Sequence, residues 1–250
     1  VVSLQHEFGI FGGKNGHFVL YLMNGIKKPI ITTFHTISTD MSAERKLIIK
    51  KIVEKSCSVV VLSEENKQVL SSYFRVPPKK IRVIKHGIPK VDFVFPEETS
   101  LRKTMNSPLI FISAGHIRPT KGYEYALMAL SKFFRHTPHF KYMILGSPQP
   151  QSPLKGGKEY LDELKRLSVE LDLTENVIWV EKYLNTQDFL TYFLAADIGL
   201  APYTRSNQSS SGIIPIMVGS GRLCIATSFD YAQRIANHLK GIWLTKPNDP

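Results

Sequence analysis

Short apolar runs alternate with stretches of helical period along nearly the whole chain. The clearest case lies between positions 109 and 134. Leu109, Ile110, Phe111 and Ile112 form a continuous apolar run, the pattern of a strand buried on both faces. Gly115 and the turn Arg118-Pro119-Thr120 follow. The period then changes: Tyr123, Ala126, Leu127, Leu130, Phe133 and Phe134 recur at i, i+3, i+4 and i+7, which is one face of a helix. The order is strand, Gly-containing loop, helix. The same reading predicts strands over 1–4, 30–34, 59–62, 81–84, 141–145, 177–180, 197–201 and 223–227. It predicts helices over 17–26, 42–55, 64–74, 160–171, 185–196 and 212–219, with Ser63 and Asn185 as N-caps. Residues 147–157 are polar and Pro-rich, hence a loop. Such alternation implies an α/β protein with parallel sheets and helices on both faces.

The pattern is interrupted once. Positions 89–107 are rich in Pro, Glu, Lys, Thr and Ser and carry no sustained period, so an inter-domain linker is expected there, placed at 96–107. It separates a first domain over 1–95 from a second over 108–250, and 250 residues suffice for two cores. The first residues already read as an interior strand, and Ile242, Trp243 and Leu244 read as a strand with more to follow. The sequence is therefore expected to be a piece lacking elements at both ends.

Composition narrows the function classes. No apolar run reaches the length of a membrane-spanning helix, and no secretory signal pattern opens the chain. Cys57 and Cys224 are too few and too far apart for a disulfide framework or a zinc site, which fits a reducing cytoplasm. The net charge of +11 favours an anionic partner: nucleic acid, an anionic membrane face or phosphorylated substrates. Aromatic residues do not interleave with Lys and Arg as a base-stacking platform requires, which speaks against nucleic acid. Lys46, Lys50, Lys51 and Lys55 share one side of the 42–55 helix; a solvated face and a patch for anionic lipid or a phosphorylated acceptor both fit.

The candidate chemistry lies at predicted strand ends, where ligands bind in open α/β sheets. In the loop after 109–112, Arg118 can fork onto phosphate oxygens and Lys121 adds a point charge. The loop lacks the spacing of a P-loop, and the same residues also fit an ordinary connection with two solvated cations. A second polar turn, Ser209, Ser210, Ser211 and Gly212, offers hydroxyls and N–H groups. Two anion sites in one domain suit a diphosphate. In the first domain, His6 and His35 fall at strand ends and could act as acid, base or hydrogen-bond donor; either could equally pack against a backbone carbonyl. Glu7 and the Gly-rich loop with Gly9, Gly12, Gly13 and Gly16 adjoin His6. That loop has no G-x-G-x-x-G spacing and is expected to hold left-handed turns and allow close approach of a ligand.

These stretches together carry a likeness. In order, they are QHEFGIFGG (5–13), ITTFHT (31–36), VIKHGIP (83–89), GHIRPTKG (115–122), AADIGLAPY (195–203), SSSGIIPIMVGSGRLCIAT (209–227) and WLTKPNDP (243–250). The chain resembles the retaining nucleotide-sugar glycosyltransferases of family 4, the group 1 transferases of the GT-B fold. The resemblance implies two Rossmann-like domains facing a cleft, the first incomplete here and on the acceptor side, the second binding the donor. It implies that Arg118 and Lys121, with Gly115, hold the diphosphate of a GDP- or UDP-sugar, and that Ser209, Ser210, Ser211 and Gly212 give it N–H groups. It makes His6, Arg118 and Lys121 the catalytic residues, and puts Glu7, Gly12, Gly13 and His35 on the acceptor or sugar side. Gln208 and His86 are open positions. No metal and no cofactor are implied, in keeping with the absence of Asp-x-Asp. The acceptor would be a glycan, a lipid or a small molecule, and nucleic acid is not expected. The location would be cytoplasmic, or peripheral at the inner face of a membrane. Two features depart from the family pattern. His116 stands where many relatives have Arg, and the usual Glu pair falls on Gln208 and Ile216. A non-catalytic nucleotide- or glycan-binding module and a sugar phosphorylase on the same fold are the alternatives.

Overall fold

The computed structural model of the protein describes residues 1–148, 157–208 and 210–250. The chain divides into two compact units, Val1–Gly87 and Ile88–Pro250.

The first unit holds a parallel sheet of β1 (Val2–His6), β2 (Ile30–Phe34), β3 (Ser58–Val61) and β4 (Ile81–Val83), in the order β1-β2-β3-β4. Three helices link them: α1 (Phe18–Gly25), α2 (Ala43–Lys55) and α3 (Glu64–Gln68), the last extended by a wider π turn, Val69–Tyr73. Ser42 and Ser63 accept hydrogen bonds from the N–H groups of Arg45 and Asn66 and so start α2 and α3. Ile48, Ile49, Ile52 and Val53 of α2 recur at helical spacing and pack on Val59 and Val61 in the core of the unit. On the opposite side of α2, Lys50, Lys51 and Lys55 are exposed, whereas Lys46 lies half-buried with its ammonium 5.1 Å from the Tyr73 ring.

The second unit is built on β5 (Ile110–Ala114), β6 (Lys141–Leu145), β7 (Val177–Val180), β8 (Ile198–Ala201), β9 (Leu223–Thr227) and β10 (Ile242–Thr245). They form one parallel sheet in the order β10-β9-β8-β5-β6-β7. Helices α4 (Ser100–Met105), α5 (Tyr123–Phe134), α6 (Gly157–Glu170), α7 (Thr186–Ala195), α8 (Ile213–Gly219) and α9 (Asp230–Ala236) connect and cover it. Side chains alternate across β5. Ile110, Ile112 and Ala114 face a core shared with α7, α8 and α9, while Phe111 faces the core under α5 and α6. Both faces of the sheet are therefore buried, which explains the unbroken apolar run.

Two expectations are revised. The stretch expected as a linker at 96–107 is largely folded, because Arg102 of α4 is drawn into the second unit. Its guanidinium pairs with Asp197 at 2.5 Å and donates to the carbonyls of Ala195 and Pro108. Ala195 and Asp197 lie 93 and 95 positions away, so the local lack of period could not show them. The strand expected at 109–112 runs to Ala114, since Ser113 is accommodated by donating to Leu200 O and accepting from the Tyr142 hydroxyl. Most of the loop expected at 147–157 lies outside the described residues.

Candidate functional site

In the second unit the strand order reverses at β5: the chain passes to β6 and β7 on one side, then to β8, β9 and β10 on the other. A crevice opens at such a switch point because the loops leaving the two central strands diverge. The loops here are the one after β5, with Arg118 and Lys121, and the one after β8, with Tyr203 and Ser211.

The β5 loop is held tightly. A single 3-10 turn, Pro119–Lys121, carries the cations, and Gly122 then starts α5 with a left-handed φ of 64°. A Cβ on Gly122 would lie 2.0 Å from Pro202 O, so only glycine lets the two loops meet. Thr204 N–H donates to Thr120 O across that contact. Gly115 flanks the site: a Cβ there would sit 3.5 Å from Lys121 Cε. Arg118 is half-exposed and His116 is exposed.

Lys121 is 9% exposed, and its ammonium stands 3.8 Å from the centroid of the Tyr203 ring. Burial, and then the Arg118 guanidinium beside it, lower its pKa to about 7. Among the described residues no carboxylate pairs with it. Tyr203 stacks on Phe229 with ring centroids 4.9 Å apart, and its hydroxyl lies 3.4 Å from Ser211 Oγ. Burial pushes the Tyr203 phenol up to about 12, so it stays protonated.

Ser211 is buried, Ser210 and Gly212 are half-exposed, and Ser209 lies outside the described residues. The Gln208 amide donates to Ser210 O at 2.8 Å, so this side chain orders the serine turn. Ile216 packs against the core of the unit. Neither position supplies a carboxylate.

In the first unit, His6, Glu7, His35 and Thr36 meet at the ends of β1 and β2. Glu7 accepts from the N–H of Phe8 at 2.9 Å and from the Thr36 hydroxyl at 2.6 Å. The His35 ring lies 2.9 Å from Gln5 Oε1. Its pKa is lowered, chiefly by burial, against which Glu7 raises it and His86 lowers it further. His86 contacts Gly87 O at 2.8 Å. His6 is fully buried among the rings of Phe8, Phe11 and Phe34, and neither ring nitrogen has a hydrogen-bond partner. Burial, reinforced by His35, lowers its pKa to about 4, so the ring is neutral. Gly13 has φ 67°, and a Cβ there would meet the His17 ring at 2.6 Å. This glycine serves the packing of its own loop.

A groove of about 630 Å³ between α1 and α2 is a separate feature. Lys14, Lys51 and Lys55 face Glu44 and Glu54 there, so its charges largely cancel. No described helix is long and apolar enough to cross a membrane, and among the described residues no cluster of His, Cys, Asp and Glu could hold a metal ion.

Arg118 and Lys121 follow β5, and Ser210, Ser211 and Gly212 follow β8, the two neighbouring strands at the switch point. Tyr203 lies just beyond the strand expected at 197–201, and the sequence assigns it no role. An aromatic directly after Pro202, at the end of a central strand, was the available signal.

Comparison with known proteins agrees with this layout. Residues 13–90 match the family model "Glycosyltransferase Family 4", and residues 97–249 match "Glycosyl transferases group 1". An uncharacterized glycosyltransferase of Methanocaldococcus jannaschii is 24% identical over 204 residues, covering 78% of this chain and 48% of the relative. Among solved structures, a glycosyltransferase from Rickettsia africae is similar with TM-score 0.70 and 18% identity, over 100% of this chain and 63% of that one. Anabaena HepE in complex with UDP and glucose is similar with TM-score 0.73 and 16% identity, over 94% of this chain and 62% of that one. A sucrose-phosphate synthase from Thermosynechococcus elongatus is similar with TM-score 0.68 and 18% identity, over 94% of this chain and 59% of that one. The chain thus spans about half the length of the curated relative and about three fifths of the structural ones. The architecture is that of GT-B glycosyltransferases, and the chain belongs to the glycosyl transferases group 1 family.

Proposed function

We propose that this chain is part of an enzyme that moves a sugar from a nucleoside diphosphate sugar to an acceptor hydroxyl, with retention of anomeric configuration and without a metal ion. The observation that carries the reading is the buried Lys121 ammonium at the switch point, next to Arg118 and lacking a carboxylate among the described residues. A buried cation is costly unless an anion meets it, and a diphosphate would supply that charge. The bond from the anomeric carbon to the diphosphate oxygen breaks, and a bond to the acceptor oxygen forms on the same face of the sugar. The acceptor proton passes to the departing phosphate oxygen. Negative charge grows on that phosphate in the transition state, where fixed cations and N–H groups stabilise it most. Arg118 and Lys121 would do this, with Gly115 leaving room and the turn of Ser210, Ser211 and Gly212 giving N–H groups; Ser209, outside the described residues, would belong to the same turn.

His6, Glu7, Gly12, Gly13 and His35 would serve the sugar or acceptor side. His6 is fully buried among the rings of Phe8, Phe11 and Phe34, so for it to meet a sugar hydroxyl that packing would have to open. The donor would be a UDP- or GDP-sugar, a choice supported on the UDP side by the HepE complexes. The acceptor would be a glycan, a lipid or a small molecule. The reaction would run in the cytoplasm, with the exposed lysines of α2 as a contact for anionic lipid.

A panel of nucleoside diphosphate sugars, screened by thermal shift on the protein and on Lys121→Ala, tests the reading. A ligand at a hundred times its Kd stabilises by about 2.7 kcal/mol. At least one donor should raise the Tm of the wild type, and at the same concentration should raise that of the variant less. If no donor shifts the wild type, the assignment fails.

A further inference from the structure

We propose that Tyr203 is a positioning residue for the diphosphate site. Its ring face holds the Lys121 ammonium, and its hydroxyl ties the serine turn to the same point. This rests on the donor site proposed above and adds a residue that the loop motifs do not contain.

The ring is a fixed platform. It is 3% exposed and stacked on Phe229 at 4.9 Å with an interplanar angle of 21°. Its backbone is tied at both ends: Tyr203 N–H donates to Ala201 O at 2.9 Å, and the Thr227 hydroxyl donates to Tyr203 O at 2.6 Å. The β5 loop is pressed onto the same segment by the Gly122–Pro202 approach and the Thr204 N–H to Thr120 O bond. Lys121 is therefore delivered to the ring by two separate contacts between the loops.

A lysine carries its charge on a flexible four-carbon stem with many rotamers. No carboxylate fixes the stem here among the described residues. The ring quadrupole attracts the ammonium at 3.8 Å without neutralising it. A carboxylate in that place would compete with the anionic ligand; an aromatic face leaves the charge available. The Tyr203 hydroxyl, 3.4 Å from Ser211 Oγ, then couples the cation loop to the turn that would face the other side of the diphosphate. One side chain sets the spacing of both halves, and preorganised charge needs no rearrangement when the ligand arrives.

The test is calorimetric titration of inorganic pyrophosphate and of UDP into the wild type, Tyr203→Phe, Tyr203→Leu, Lys121→Met and the Tyr203→Leu/Lys121→Met double variant. Tyr203→Leu should weaken binding about thirtyfold, the size of a desolvated cation–π contact. Tyr203→Phe keeps the ring face and should stay within about threefold of the wild type, the loss of one long neutral hydrogen bond. In the double variant the leucine should add no more to the loss caused by Lys121→Met than Tyr203→Phe costs alone, because the ring acts through that ammonium and only the hydroxyl contact is separate. Should Tyr203→Leu not fold, Tyr203→Met replaces it, with similar bulk and no ring. Unchanged binding in Tyr203→Leu, equal losses in the Phe and Leu variants, or additive losses in the double variant would each overturn the positioning role while leaving the donor site standing. A wild type that binds neither probe overturns the donor site itself, and this inference with it.

Discussion

The Lys121 ammonium lies 3.8 Å from the centroid of the Tyr203 ring, joining the loop after β5 to the loop after β8. Those strands are neighbours in the sheet but 84 positions apart, counted from the last residue of β5, Ala114, to the first of β8, Ile198. A buried cation held by a π face, beside a guanidinium, is suited to an anion that comes and goes.

Replacing Lys121 by Ala should lower turnover by about a hundredfold or more, with a smaller change in KM for the donor. The charge on the leaving diphosphate is greater in the transition state than in the ground state, so the loss falls mainly on kcat. Steady-state kinetics with a nucleoside diphosphate sugar decide it. Turnover equal to the wild type would remove the mechanism.

Donor binding should take up a proton. With its pKa lowered to about 7, Lys121 is partly neutral in the free protein at neutral pH, and a diphosphate favours the charged form. The phosphates of a nucleotide sugar do not titrate there. Affinity should therefore fall as pH rises above 7, and titration in buffers of different ionisation enthalpy should report net uptake that Lys121→Met abolishes. The same depressed pKa has a stability consequence of opposite sense. Between about 7 and the usual lysine range the unfolded chain binds more protons, so wild-type stability rises with pH across that interval. Lys121→Met should thus be the more stable protein at pH 7, with an advantage that shrinks toward pH 10.

His6 should cost stability on the acid side. Its folded pKa of about 4 lies below the ordinary histidine value of 6.5. The unfolded chain therefore takes up a proton before the folded one does, and stability is lost as pH falls from 6.5 toward 4. His6→Phe replaces two unpartnered ring nitrogens by an apolar ring in a nest of phenylalanines. It should raise Tm and flatten the acid limb between those values. A melting series against pH, in which the limb stayed as steep as in the wild type, would refute this account of the cage.

Arg102→Met should destabilise the second unit by about 3–5 kcal/mol. It leaves Asp197 without its guanidinium, along with the carbonyls of Ala195 and Pro108. Denaturant unfolding measures the change. A loss below about 1 kcal/mol would mean that the ion pair is a surface contact in effect.

The periods of apolar positions were enough to read the α/β class, the parallel sheets and most elements. Burial on both faces writes itself into β5 as an unbroken apolar run, and burial on one face writes itself into α2 and α5 as a helical stripe. The caps Ser63 and Asn185 were legible because a cap acts within three residues. The two cations and the serine turn were legible as residues at strand ends. What the order of residues could not hold was which strand ends stand side by side. That order, β8 beside β5, brings Tyr203 under Lys121 and requires Gly122 against Pro202. The fold of α4 depended likewise on Asp197, 95 residues from Arg102. Local periodicity records how far each residue is buried, because burial selects side chains one by one. Partners arise only when distant segments close around a shared core, and charge, ring and left-handed turn acquire their roles from that closure.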